Sequence, residues 1–201
     1  MPSPITPTCD VVIVGAGPAG AAAAITLARA GLDVQVFDKA TFPRDKCCGD
    51  GLTTLALREL ERMGFDPTSV PNWYPVGGAG LRSPAGREFR VPLVGPGVFA
   101  ATAPRRELDA ALVDLASESG ARVHPGCTFA ALERGGDAVT ATFHADGDEH
   151  AVAARWIVAA DGMWSPVRKA AGLAVPGYRG EWHAFRQYAS GVTGRAAHEL
   201  I

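Results

Sequence analysis

The 201-residue chain is poor in cysteine, histidine and net charge, and each shortage excludes a class of protein. Its four cysteines, at 9, 47, 48 and 127, form no C-x-x-C pair, so neither a zinc knuckle nor a thiol–disulfide redox motif is indicated. A disulfide scaffold is not expected at this length and cysteine density, and the adjacent Cys47 and Cys48 could bridge only in a strained geometry. The five histidines, at 124, 144, 150, 183 and 198, show no H-x-x-x-H spacing, and no G-x-S-x-G occurs, so a metal-ligand or nucleophilic-serine reading has no support. Nineteen basic against twenty-one acidic residues leave a formal charge of −2. No basic excess is available to grip a phosphate backbone, so nucleic acid is not an expected partner. Met1 to Asp10 lacks a basic residue and carries early prolines, a poor signal peptide, which makes a reducing, cytoplasmic setting the default expectation. Val11 to Ala28 is uncharged for a length at which a membrane helix is considered. Gly15, Gly17, Pro18 and Gly20 interrupt it, so it reads as two elements joined by a tight turn.

What is present is ample apolar mass, 47% hydrophobic against 20% charged, enough for one globular domain or slightly more. Val11-Val12-Ile13-Val14 is a β-branched run of the kind that forms a strand buried on both faces. Gly15-Ala16-Gly17-Pro18-Ala19-Gly20 follows, and Ala21 to Ala30 is dense in helix formers, closed by Gly31. Val34 to Phe37 predicts a second strand, ended by Asp38. Strand, G-x-G-x-x-G, helix, strand and acid is the pattern of a dinucleotide site. Gly15 permits the turn, Gly17 lets backbone amides approach a pyrophosphate, and Gly20 lets helix and strand pack closely. The helix N-terminus adds positive partial charge, and Asp38 is in register to accept hydrogen bonds from ribose hydroxyls. The alternative is an α/β turn that uses glycine for packing alone. The motif does not separate FAD from NAD, although Asp38 favours an unphosphorylated ribose over that of NADP.

Phe42 to Leu52 has no period, being charged and then glycine-rich; it is either a functional loop or an ordinary connection. Leu52, Leu55, Ala56, Leu60 and Met63 then recur at helical spacing up to Gly64. Residues 71–104 are punctuated by proline and glycine, and Phe89, Val91 and Leu93 alternate beyond a Ser83-Pro84-Ala85-Gly86 turn, which predicts a hairpin. Trp73, Tyr74 and Phe99 are candidates to line an apolar site or to join the core. After Pro104 the spacing of Leu108, Leu112 and Leu115 predicts a helix ended by Gly120. Ala121 to His124 reads as a strand of the main sheet. Phe129–Leu132, Ala138–Phe143 and His150–Ala153, separated by Gly- and Asp-containing turns, predict a three-stranded antiparallel meander. Trp156 to Ala160 predicts a further buried strand, Ser165-Pro166 a helix start, and Trp182 to Val192 a loosely alternating strand.

The combination of G-x-G-P-A-G, the strand-end acid and Phe42-Pro43-Arg44-Asp45-Lys46-Cys47-Cys48-Gly49-Asp50-Gly51-Leu52 resembles the geranylgeranyl reductase family, flavoproteins with the fold of p-hydroxybenzoate hydroxylase. Within it the likeness is to actinobacterial reductases that saturate isoprenoid side chains such as that of menaquinone. The resemblance implies an α/β fold: a Rossmann-like FAD-binding domain with a parallel sheet, an antiparallel β-meander packed on it, and the beginning of an inserted substrate-binding sheet. It divides the chain into a first part of the FAD domain at 1–70, the start of the substrate sheet at 71–104, the continued FAD domain at 105–175, and a truncated substrate-domain strand at 176–201. It implies FAD contacts at Gly15, Gly17, Ala19, Gly20, Asp38 and Lys39, and at Cys48, Gly49, Asp50 and Gly51 beside the isoalloxazine and pyrophosphate. Arg105, in an R-x-x-L-D helix start, would contact the flavin cofactor, and Asp161 and Gly162, in the A-D-G-x-x-S-x-V-R pattern, would form the second cofactor fingerprint. Residues 127–129 would offer backbone to adenine. No residue stands out as a proton donor.

The family's late G-D-A-A motif is absent, so the chain reads as truncated and is expected to bind FAD weakly or not at all by itself. The implied activity is reduction of isoprenoid carbon–carbon double bonds, with NAD(P)H or a reduced ferredoxin as electron donor. A lipid substrate would bring peripheral membrane contact. An aromatic monooxygenase or halogenase of the same fold, and a non-catalytic remnant, are the alternatives.

Overall fold

The structure is a computed structural model that describes residues 4–93, 97, 99–177, 185–197 and 199–200. In chain order its elements are β1 (Thr8–Val14), α1 (Pro18–Arg29), β2 (Val34–Asp38), β3 (Gly51–Leu52), α2 (Thr54–Arg62), β4 (Tyr74–Pro75), β5 (Gly78–Arg82), β6 (Glu88–Pro92), β7 (Ala101–Thr102), α3 (Arg105–Glu118), β8 (Arg122–Pro125), β9 (Thr128–Gly135), β10 (Ala138–Ala145), β11 (Asp148–Ala159), α4 (Pro166–Ala170) and β12 (Glu199–Leu200). The chain divides into two compact units, Met1–Arg44 with Asp109–Glu181, and Asp45–Leu108 with Trp182–Ile201.

The first unit is built on one six-stranded sheet of order β8-β2-β1-β11-β10-β9. β8, β2, β1 and β11 run parallel, and β10 and β9 continue antiparallel. Val11 to Val14 are buried, as a parallel strand covered on both faces requires. On one face Ala21, Ala24 and Ile25 of α1 are buried, with α1 lying against β1 and β2. On the other, Val12, Val14, Phe37, Ala141, Phe143, Val152, Ala154 and Val167 share one core. Phe37 is its centre, with the Phe143 ring 3.9 Å away on one side and His124 at 4.7 Å on the other. Gln35 is also fully buried but satisfied. Its amide donates to Thr6 O, and its Oε1 meets Thr6 N and His124 Nε2.

The expected antiparallel meander is present, and it continues the parallel sheet edge to edge. β11 is one twelve-residue strand that serves both. Its first half pairs with β10 from Ala145↔Asp148 to Val139↔Ala154. From Ala153 onward it pairs with β1 as far as Val14↔Ala159. The strands expected at 150–153 and 156–160 are therefore one; Arg155 breaks the apolar run in sequence but not the ladder. Nor is the second stretch wholly buried, since Trp156 is 64% exposed.

The second unit holds two small sheets, β3-β7-β4 and β12-β5-β6. The β5–β6 hairpin turns at Ser83–Gly86 as expected, with Phe89 opposite Leu81 and Val91 opposite Ala79. The helix expected from Leu52 begins only after Thr53, whose side chain caps α2 by accepting from Ala56 N. Leu52 lies in β3 instead, and Leu57 and Leu60, rather than Leu55, are the buried positions of α2. Of the strand expected over 182–192, residues 182–184 lie outside the described residues, and 185–192 are not strand; Phe185 is exposed. On the edge away from β6, β5 pairs with β12, in parallel.

Candidate functional site

In the first unit the glycine turn sits where β1 and β11 end side by side. Gly15 N donates to Phe37 O and Ala160 N to Val14 O, which draws three strand ends together. Gly15 has φ +98, and a Cβ on it would lie 2.3 Å from Ala160 O. A Cβ on Gly20 would lie 1.8 Å from Gly15 O. Only glycine fits at both positions, so close backbone approach is built into the turn whatever binds there. Gly17 is the N-cap of α1 and offers no side-chain cap, Pro18 opens the helix, and no acidic residue stands in the first turn. The amides at the start of α1, those of Ala19 and Gly20 among them, therefore keep their positive partial charge available to an anion.

Asp38, at the tip of β2, has a structural task in addition to the ribose contact expected of it. Its Oδ2 accepts from Ala16 N at 2.7 Å, and its Oδ1 from Ala40 N at 2.8 Å. The carboxylate thus pins the glycine turn, and each oxygen keeps a further lone pair for a ligand hydroxyl. Asp161 lies just past β11. Its Oδ2 accepts from Val167 N, and together with Ser165 Oγ accepting from Arg168 N it caps α4. Its Oδ1 is buried and has no hydrogen-bond partner among the described residues. Gly162 follows in the left-handed region, φ +89.

These elements enclose a cavity of about 300 Å³. Val14, Gly15, Phe37, Asp38 and Lys39 form part of its wall, and Cys127, Thr128, Phe129, Asp161 and Pro166 the rest. Of the residues expected to hold FAD, the cavity gathers Gly15, Asp38, Lys39 and Asp161. The segment expected to meet adenine, 127–129, also lines it. Apolar walls, two carboxylates and a lysine are a donor and acceptor set that suits a nucleoside. The orphaned Asp161 oxygen fits such a ligand, as an acceptor for one of its hydroxyls.

Cys48, Gly49, Asp50, Gly51 and Arg105 belong to the second unit. Cys48 and its neighbour Cys47 are free and exposed. A Cβ on Gly49 would meet nothing within 4 Å. Asp50 O accepts from Ala103 N, which ties the loop to the end of β7. Arg105 opens α3, and its charge, after the larger effects of Arg186 and the Lys46 amide, helps to hold the Asp45 carboxyl below its ordinary range.

Two groups escaped the sequence reading. In the first unit Arg44 is paired with Asp109, whose side chain is completely buried. A lone acid beside Leu108 and before Leu112 on the buried side of α3 was the available signal. In the second unit Arg186 and Tyr188 converge on the 45–50 loop. Arg186 pairs with Asp45, and Tyr188 Oη donates to Asp50 Oδ2 at 2.5 Å. That hydrogen bond, with the nearby Asp50 charge, pushes the Tyr188 phenol above its usual range. No local pattern announced either residue.

The family model described as FAD binding domain matches residues 8–194. The menaquinone reductase of Mycobacterium tuberculosis (strain H37Rv) is 39% identical over 191 residues, covering 93% of this chain and 44% of that protein. Digeranylgeranylglycerophospholipid reductase 2 of Methanopyrus kandleri is 37% identical over 166 residues, covering 82% of this chain and 40% of that protein. The chain therefore spans less than half the length of these curated relatives. Among solved structures, a geranylgeranyl bacteriochlorophyll reductase-like protein of Thermoplasma acidophilum superposes with a TM-score of 0.74 at 26% identity, covering 83% of this chain and 42% of that one. With the glycine turn, the strand-tip acid and the nucleoside-sized cavity in place, and the family model matched over most of the sequence, the chain belongs to the FAD binding domain family.

Proposed function

We propose that the protein is an FAD-dependent oxidoreductase that reduces carbon–carbon double bonds of an isoprenoid chain. The observation that carries this reading is the 39% identity to a menaquinone reductase over 93% of the chain, spanning both the glycine turn and the 42–52 loop. The substrate is an apolar prenyl chain, and a lipid-borne substrate brings the protein to a membrane surface from outside; no described helix is long and apolar enough to cross one.

When bound and reduced by the electron donor, the flavin would supply a hydride to one carbon of the double bond, with a proton added at its neighbour. The chain's own residues bind and orient it. Gly17, Ala19 and Gly20 present amides to the pyrophosphate, Gly15 makes the turn that brings it close, and Asp38 accepts from the ribose with Lys39 beside it. Asp161 and Gly162 form the second contact. Cys48, Gly49, Asp50 and Gly51 meet the flavin ring, and Arg105 offers a planar donor set suited to phosphate oxygens. NAD(P)H or a reduced ferredoxin is the electron donor.

The test is an anaerobic incubation of the FAD-supplied protein, chemically reduced, with a menaquinone bearing an unsaturated side chain. A mass increase of one hydrogen molecule per turnover supports the reading. Oxygen- and nicotinamide-dependent hydroxylation of a phenol, with no prenyl saturation, overturns it in favour of the monooxygenase alternative.

A further inference from the structure

Asp50 combines three features that no role in the fold explains. Its backbone is in the left-handed region at φ 56, uncommon for a residue with a Cβ. Its side chain is only 10% exposed. Its Oδ1 is buried and has no hydrogen-bond partner among the described residues. Arg186 Nη1 stands 3.7 Å from that oxygen, an ion pair but too far for a hydrogen bond.

The other oxygen is held. Tyr188 Oη donates to Asp50 Oδ2. Arg186 grips the opposite end of the loop, donating to both Asp45 oxygens, at 2.5 and 3.2 Å, and to Lys46 O at 3.1 Å. Its guanidinium also lies 4.6 Å over the Tyr188 ring, so the two residues brace each other. A segment some 140 residues downstream therefore fixes Asp50 through one oxygen and leaves the other without a donor. A buried carboxylate oxygen with no donor is costly unless something supplies one. Phosphate oxygens only accept, so the pyrophosphate cannot; a ribityl hydroxyl or a ring N–H can.

We infer that Arg186 and Tyr188 are positioning residues that hold the Asp50 carboxylate as the acceptor for an O–H or N–H donor of bound FAD; this rests on the assignment of residues 48–51 to the flavin made above. Tyr188 acts through Asp50, and Arg186 through Tyr188 and the loop backbone.

The experiment is a titration of the purified protein with FAD, read by flavin fluorescence and by the visible absorption band of the bound flavin. It compares wild type, Tyr188→Phe, Asp50→Asn, the double variant and Arg186→Lys. Each single substitution at 50 or 188 is expected to raise Kd roughly tenfold and to move the flavin band in the same sense. The double variant is expected to be no worse than the worse single, because both remove one linked interaction. Arg186→Lys, which keeps the charge but not the two-pronged grip, is expected to follow Tyr188→Phe. A Tyr188→Phe protein with wild-type Kd and flavin band overturns the inference, as do effects at 50 and 188 that multiply, or a lowered melting temperature with no change in the flavin band. Wild-type FAD uptake with indifferent variants sinks this inference alone. A wild-type protein that takes up no FAD at all sinks the flavin reading beneath it, and the inference with it.

Discussion

Arg44 Nη1 lies 2.7 Å from Asp109 Oδ2, and the acid is completely buried while the arginine is 19% exposed. The Arg44 guanidinium also lies 5.0 Å over the Phe42 ring. The F-P-R-D segment and the R-x-x-L-D helix, read separately in the sequence, are thus joined by an ion pair within the first unit. Removing Arg44 takes a cation from a fully buried carboxylate, which costs more than the pair itself gains. Arg44→Met is expected to lower unfolding stability in urea by about 3 kcal/mol. Arg44→Met with Asp109→Leu should recover most of that loss. Two additive losses would show that the residues do not act as a pair.

The glycine turn gives a steric prediction. Gly20→Ala puts a methyl group 1.8 Å from Gly15 O, which is backbone and cannot step aside. The substitution is expected to cost about 2–4 kcal/mol and to abolish FAD binding, seen by thermal unfolding and fluorescence titration. An unchanged melting temperature would mean that the turn is not packed as described.

Gly49→Ala separates fold from ligand in the opposite way. A Cβ there meets nothing within 4 Å. Stability should change by less than about 0.5 kcal/mol. Any loss of FAD affinity in that variant then reports a ligand lying against the loop, and wild-type affinity would remove Gly49 from the flavin contacts.

His124 makes stability depend on pH. Burial, then the charges of Arg122 and His150, push its pKa down to about 4. Its Nε2 stands 3.0 Å from Gln35 Oε1, an acceptor, so the neutral ring places its proton on Nε2. In the unfolded chain the histidine takes up a proton near pH 6.5, while the folded form resists until about 4. Below 6.5 the unfolded state binds more protons, so stability falls as pH drops through that window, by roughly 3 kcal/mol in all. Urea midpoints measured between pH 7 and pH 4 should show this decline, and His124→Gln should flatten it.

Much of the first unit was legible because local chemistry and long-range structure agree there. Val11–Val14 is β-branched because it is covered on both faces, and Gly15 and Gly20 are glycine because backbone crowds them. Ser165-Pro166 caps α4 as its residue types predict. The continuity of β11 was hidden because Arg155 interrupts the apolar run and because one strand satisfies two partners of opposite direction. Leu52 fitted the helical spacing of Leu60 and Met63, but the Thr53 cap and the pairing of β3 with β7 outweighed periodicity. Arg186 and Tyr188 could not be read at all: they act on residues 141 and 138 positions away, and pairings at such distances leave no local period.

Since β11 is both the last rung of an antiparallel hairpin ladder and the rail that delivers Asp161, the turn at Asp146-Gly147 has a remote effect. Strand register moves in steps of about 3.3 Å, and a single step turns every side chain to the opposite face. Lengthening or shortening that tight bend would carry the error along the whole rail to the nucleotide cavity. The geometry of a surface turn thus sets where a carboxylate at the far end of the sheet comes to rest.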